Sequence, residues 1–159
     1  MAHEYRATVR WARQEGEAFT DQRYSRVHVW AFDGGVEVPA SSAPSSVPLP
    51  FSRPDAVDPE EAFVAALSSC HMLFFLHLAA RRGFIVDRYE DHAVGVMAKN
   101  ERGKLHVARV TLDPRIDFSG ARRPTPDDIA ELHHRSHEEC YIANSVRTEV
   151  TVAGLSPHA

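Results

Sequence analysis

The sequence predicts an α+β protein in which antiparallel sheet carries its helices on one side. Three observations lead there. Apolar and polar residues alternate with period two near the start and again after residue 88. One long apolar run lies between them, bracketed by helix start and stop signals, and a second, shorter helix opens on Thr125-Pro126-Asp127-Asp128.

Taken in order, Tyr5 to Ala12 places Tyr5, Ala7, Val9 and Trp11 on one face and Arg6, Thr8 and Arg10 on the other, as a half-buried strand does. Tyr24 to Phe32 repeats the pattern, and Asp33-Gly34-Gly35 turns it into Val36-Glu37-Val38 as a hairpin. Prolines and serines then crowd 39–57, a long loop expected to wrap over another element through Val47, Leu49 and Phe51. At Asp58-Pro59-Glu60-Glu61 a capping residue, a proline at the first helical position and two acids at the positive dipole end start a helix of about two dozen residues. Arg81-Arg82-Gly83 stops it. Tyr89 to Lys99 and Leu105 to Phe118 read as two long strands joined through Asn100-Glu101-Arg102-Gly103. The second helix is expected to reach about Ile142, with Ile129, Leu132, Ser136 and Cys140 facing inward, and Val146 to Val152 forms the last strand.

Length and composition limit what such a chain does. Its 159 residues, 43% of them hydrophobic, suit one soluble domain spanning 1–159 with a core of its own. The net charge of −4, with basic residues scattered apart from Arg81-Arg82 and Arg122-Arg123, argues against a nucleic-acid partner. Ala62 to Ala80 is long enough for a bilayer, but Ser68, Ser69, His71 and His77 interrupt it, so the run reads as the centre of a soluble fold or dimer rather than a membrane span. The opening M-A-H-E-Y-R-A-T-V-R-W lacks the apolar stretch of a signal peptide, and a cytoplasmic location is the expectation.

In a reducing compartment the two cysteines, Cys70 and Cys140, suit reversible chemistry better than a static disulfide. A thiol attacks as thiolate, so an attacking Cys70 needs a nearby cation. Arg26, on a strand face shared with His28 and Trp30, is the first candidate, with Glu60 as the carboxylate that orients it, and Arg53 in the proline-rich loop is the rival. Ten helical residues hold Glu60 about 15 Å from Cys70, so either the helix breaks at Ser68-Ser69 or the acid and its arginine serve a neighbouring subunit. Cys140 lies near a helix C-terminus, where the dipole disfavours a thiolate, and suits a resolving thiol that condenses with a sulfenic acid on Cys70. Plainer readings stand beside these. Both thiols could be inert core residues, Arg26 a surface residue, and Glu60 a first-turn acid; Phe63, Met72, Phe74, Phe75 and Leu78 pack a core first and wall a substrate second.

A competing constellation is His133, His137 and Cys140, spaced so that they share a helix face and could offer nitrogen and sulfur to zinc. Helical histidines among acids more often solvate a surface. His71 and His77 would join the set only if the two helices face each other.

D-P-E-E-A-F-V-A-A-L-S-S-C-H, from Asp58 to His71, and H-E-E-C-Y-I-A-N-S, from His137 to Ser145, resemble the two cysteine segments of the OsmC/Ohr superfamily of thiol-dependent hydroperoxide reductases. The order of elements matches along nearly the whole chain. The resemblance implies an OsmC-like fold with a long buried central helix, and an intertwined homodimer with active sites at its interface. It further implies Cys70 as peroxidatic thiol, Cys140 as resolving thiol and Glu60 as the acid orienting an arginine, Arg26 or Arg53. The substrate would be an organic hydroperoxide, with Phe63, Phe74, Phe75 and Tyr141 beside its tail, an external dithiol as reductant and no cofactor or metal. Tyr141 stands where organic-hydroperoxide members typically carry proline, and His71 where an aromatic is common. A retained fold that binds a small apolar ligand without catalysis is the remaining alternative.

Overall fold

The computed structural model describes residues 3–155. The chain divides into two compact units, 1–62 and 63–159.

In the first unit β1 (Ala7–Arg10), β2 (His28–Phe32) and β3 (Glu37–Ala40) form an antiparallel sheet in that order. The Asp33-Gly34-Gly35 turn is where the sequence places it: Gly35 has φ 81°, and Phe32 N–H donates to the Val36 carbonyl at 3.0 Å. Contrary to the half-buried strand expected for Tyr5 to Ala12, β1 is exposed along its whole length, with Val9 65% exposed. No layer within its own unit covers it. The proline-rich loop returns to the sheet it left, because Ala40 bridges Val57, and Arg53 N–H donates to Ser41 Oγ at 3.0 Å. Of its expected apolar anchors, Leu49 is exposed, while the Phe51 carbonyl receives the Arg26 N–H at 2.8 Å.

Helix α1 spans Pro59–Arg81 without a break. Asp58 and Glu61 close a reciprocal cap: Glu61 N–H donates to Asp58 Oδ1 at 2.8 Å and Asp58 N–H to Glu61 Oε2 at 3.2 Å. At the far end Gly83 takes φ 78°, Phe84 N–H reaches the Ala79 carbonyl and Gly83 N–H that of Ala80, both at 3.0 Å, which together make a Schellman stop. Leu67, His71, Phe75, Leu78 and Ala79 form its buried stripe. The opposite stripe is open in the single chain: Ser69 and His77 are exposed and Leu73 is 61% exposed.

The two long strands read after residue 88 each break in two. β4 (Ile85–Asp91) pairs antiparallel with β7 (Pro114–Ser119), and β5 (Val94–Lys99) with β6 (Leu105–Leu112). The break has a cause, since the Asp91 carboxylate accepts the Asp113 N–H at 2.7 Å and replaces a ladder bond with a side-chain one. β8 (Glu149–Val152) joins β6 in parallel, giving the order β5-β6-β8. α2 (Pro126–Glu139) opens with Thr125 Oγ1 accepting the Asp128 N–H at 3.1 Å, and it ends at Cys140 rather than Ile142. One core cluster gathers Phe75, Leu78, Ala79, Phe84 and Leu132; a second gathers Leu67, Val110 and Leu112.

Gly95 on β5 is a point of close approach, because a Cβ there would lie 2.6 Å from Val64 Cγ2 on α1. Gly95→Val is expected to destabilise the protein by about 1–3 kcal/mol through overpacking, measured by denaturant unfolding.

Candidate functional site

The 63–159 unit brings the two cysteines together. Cys70 is half-buried on α1, Cys140 is buried as the cap residue of α2, and both are free thiols. Burial pushes the Cys140 thiol up to about 11, and a hydrogen bond with the Cys70 side chain adds to the rise. The Ala143 N–H, donated to Cys140 Sγ at 3.4 Å from the short 3-10 turn Ala143–Ser145, works the other way. Cys140 is thus a protonated thiol seated beside its partner. Phe74, one turn beyond Cys70, meets Tyr141 edge-on with ring centroids 5.1 Å apart, so the residues flanking the two thiols form an aromatic bracket. Tyr141 is 69% exposed. Phe63 borders a different cavity with Val107 and Val146, and Phe75 is buried in the core against Tyr89, Phe118 and His133 rather than on a pocket wall.

The 1–62 unit holds Arg26 and Glu60 on the lining of one cavity of about 460 Å³. No ion pair joins them. The guanidinium instead donates to the Gln22 carbonyl at 2.6 Å and to the Tyr24 carbonyl, and lies 3.7 Å from the Tyr24 ring centroid. Gln22 has φ 65°, the one non-glycine residue in the left-handed region among those described. Trp11, Phe19 and Tyr24 wall the same cavity as a mutual aromatic cluster, with centroids 4.6 to 5.8 Å apart. Sequence reasoning missed this wall. Phe19 sits in a turn-rich polar stretch with no period to mark it; the available signal was three aromatics gathered within fourteen positions, 11–24. Arg53 is elsewhere: its guanidinium pairs with Asp55 at 2.6 and 3.1 Å on the surface, the pair holding the arginine above and the acid below their ordinary values.

The set His133, His137 and Cys140 does not form a zinc site: among the described residues no three such groups are placed to hold a metal. His133 is not a surface residue either. Its Nδ1 lies 2.9 Å from His71 Nε2, the two rings are within 13° of parallel, and both are buried, at 4% and 1% exposure. His77, by contrast, is exposed. Burial, then the charges His133 and His137 would carry, lowers His71 to about 3, and burial lowers His133 to about 4.

Residues 52–153 match the OsmC-like protein family. An OsmC-like protein of unknown function from Vibrio cholerae O1 biovar eltor is 52% identical, with 95% of this chain and 98% of that one covered and a TM-score of 0.93. The organic hydroperoxide resistance protein of Elizabethkingia anophelis shares the fold at 17% identity, 98% and 99% coverage and a TM-score of 0.68. OhrB of Bacillus subtilis does so at 18%, 94% and 96% coverage and 0.64. No curated protein matches.

The histidine pair sets a pH dependence. In the unfolded chain both imidazoles titrate near 6.5, whereas the folded protein refuses their protons until much lower pH, so their contribution is complete above about 6.5 and is lost as pH falls toward about 4. Denaturant unfolding between pH 7.5 and 5 is expected to show stability falling by up to about 1.4 kcal/mol per pH unit for each histidine. The double variant His71→Leu/His133→Leu is expected to flatten that slope.

Proposed function

We propose, since the chain belongs to the OsmC-like protein family, that it is a thiol-dependent peroxidase reducing organic hydroperoxides to alcohols. The observation that carries the reading is the contact between Cys70 and Cys140. A Cys70 thiolate attacks the terminal oxygen of the hydroperoxide and the O–O bond breaks. The leaving alkoxide takes a proton and departs as alcohol, leaving a sulfenic acid on Cys70. The neighbouring Cys140 sulfur displaces that hydroxyl as water, and an external dithiol reduces the resulting disulfide. Relatives in fold named for organic hydroperoxide resistance support this substrate class.

Arg26 is the proposed cation, stabilising the thiolate and then the charge that grows on the leaving oxygen, with Glu60 turning toward it when substrate enters. Its fixed place over Tyr24, in a cavity that also contains Glu60, favours it over Arg53, which Asp55 already engages. Trp11, Phe19 and Tyr24 would receive the apolar tail, and Phe74 with Tyr141 would close over the thiols.

The site is proposed to be shared between two subunits. On an unbroken helix Glu60 and Cys70 stand about 15 Å apart, more than the two side chains span. The open stripe of α1, the exposed β1 and the exposed β5 supply apolar surface for a dimer to bury.

One equivalent of cumene hydroperoxide is expected to consume both thiols in the wild type, neither in Cys70→Ser, and to leave a trappable sulfenic acid in Cys140→Ser. Retention of both thiols in the wild type would refute the peroxidase. Arg26→Gln is expected to slow the first step about 10²- to 10³-fold. Mixing refolded Arg26→Gln chains, slow alone, with Cys70→Ser chains, inactive alone, is expected to restore turnover, because every mixed dimer contains one intact site; no recovery in verified mixed dimers would exclude a shared site.

A further inference from the structure

A second cavity, of about 570 Å³, lies wholly within the 63–159 unit and contains neither cysteine on its lining. That volume falls in the range of sites for small organic ligands. It is bordered by His71, His133, His134 and His137 and by Arg147 and residues 148–152. β8 is an edge strand, paired with β6 alone. Successive residues of a strand point to opposite faces, so the four of β8, Glu149 to Val152, border one cavity together where the strand turns its edge toward it. Backbone N–H and carbonyl groups therefore reach the space as well. Val146, Val150, Val152 and Leu155 make the rest of the wall apolar.

The buried histidine pair is unfinished. One proton is shared between His71 Nε2 and His133 Nδ1, so in the neutral pair one of the two outer nitrogens carries hydrogen and the other is bare. The outer nitrogen of His71, Nδ1, is buried without a partner. When it is the bare one, His133 Nε2 carries a hydrogen and offers it to the cavity that His133 borders. An acceptor in the cavity would hold the pair in that tautomer. Arg147 adds a guanidinium whose fork suits a carboxylate, and among the described residues Glu149 is the single carboxylate on the lining.

We propose that this cavity binds a small carboxylate with an apolar body, its oxygens held by Arg147 and by the Nε2–H of His133 and its tail against the valines of β8. The occupant is neither a cation, which one acid among so many nitrogens would hold poorly, nor a bare inorganic anion, which would leave the apolar wall wet. The proposal does not depend on the peroxidase reading, because no group assigned to the thiol chemistry contacts the ligand.

The test uses the full chain, labelled with ¹⁵N, titrated at fixed pH with hexanoate as the probe and with hexanol, hexylammonium and inorganic phosphate as controls. Saturable binding of hexanoate is expected, with shifts concentrated in residues 148–152 and the His133 ring reporting a protonated Nε2 and a bare Nδ1. The three controls are expected to bind at least about tenfold more weakly. Arg147→Gln is expected to lose about tenfold in hexanoate affinity, while peroxide-driven thiol loss and thermal midpoint stay at wild-type values. Arg147 is exposed, so this variant tests binding without threatening the fold. Absence of saturable binding, equal binding of hexanol, tighter binding of phosphate, or an Arg147→Gln variant with unchanged affinity would each overturn the proposal.

Discussion

An α-helix rises about 1.5 Å per residue whatever its sequence, and α1 runs from Pro59 to Arg81 without interruption. Both ends are stopped by specific hydrogen bonds, at Asp58 and Glu61 and at Ala79, Ala80 and Gly83, so its length is not negotiable. Ser68 and Ser69, the one place where the sequence hinted at a break, remain helical, and Ser68 Oγ donates to the Asp91 carboxylate instead. Within one chain an acid near the start of the rod and a thiol in its middle are too far apart to touch. The proposed subunit-shared site follows from that constraint more directly than from any resemblance.

The thiols depend on the same helix for a different reason. α1 offers Cys70 on a half-buried flank, and the cap of α2 ends within reach of it, so two residues seventy positions apart become neighbours. Two features bear on the resolving role proposed for Cys140. Burial and the adjacent thiol keep it protonated at rest, while the Ala143 N–H donates to its sulfur and so favours the thiolate once the proton leaves. Arg26 shows the complementary design, a guanidinium aimed by backbone carbonyls and a tyrosine face rather than by a carboxylate. In the proposed reaction that cation would face the Cys70 thiolate and then the charge growing on the leaving oxygen.

The buried imidazoles add a constraint of their own. Two neutral rings sharing one hydrogen bond between α1 and α2 tie the helices together, and the Arg82 to Asp128 ion pair ties the end of one to the start of the other. Each imidazole is costly to charge where it sits, and the stability of the unit is bound to their staying neutral.

Local chemistry alone made much of this legible. Asp58, Pro59 and Gly83 mark α1, and Thr125 and Pro126 mark the start of α2, because caps and stops act within a few residues of chain. The alternation of the strands was also readable from side-chain period, and the resemblance of the two motifs around the thiols pointed to Cys70 and Cys140 as neighbours. Long-range geometry was not. The break of the long hairpin at Asp91 and Asp113, the bond between His71 and His133, the aromatic wall of Trp11, Phe19 and Tyr24, and the capture of Arg53 by Asp55 each join groups whose contact depends on where folding places them. Sequence determined which segments are helix, strand and turn, since those preferences are settled by neighbours along the chain; tertiary structure decided which side chains meet, because a hydrogen bond or ring contact exists only at a few ångströms and no local pattern encodes that distance.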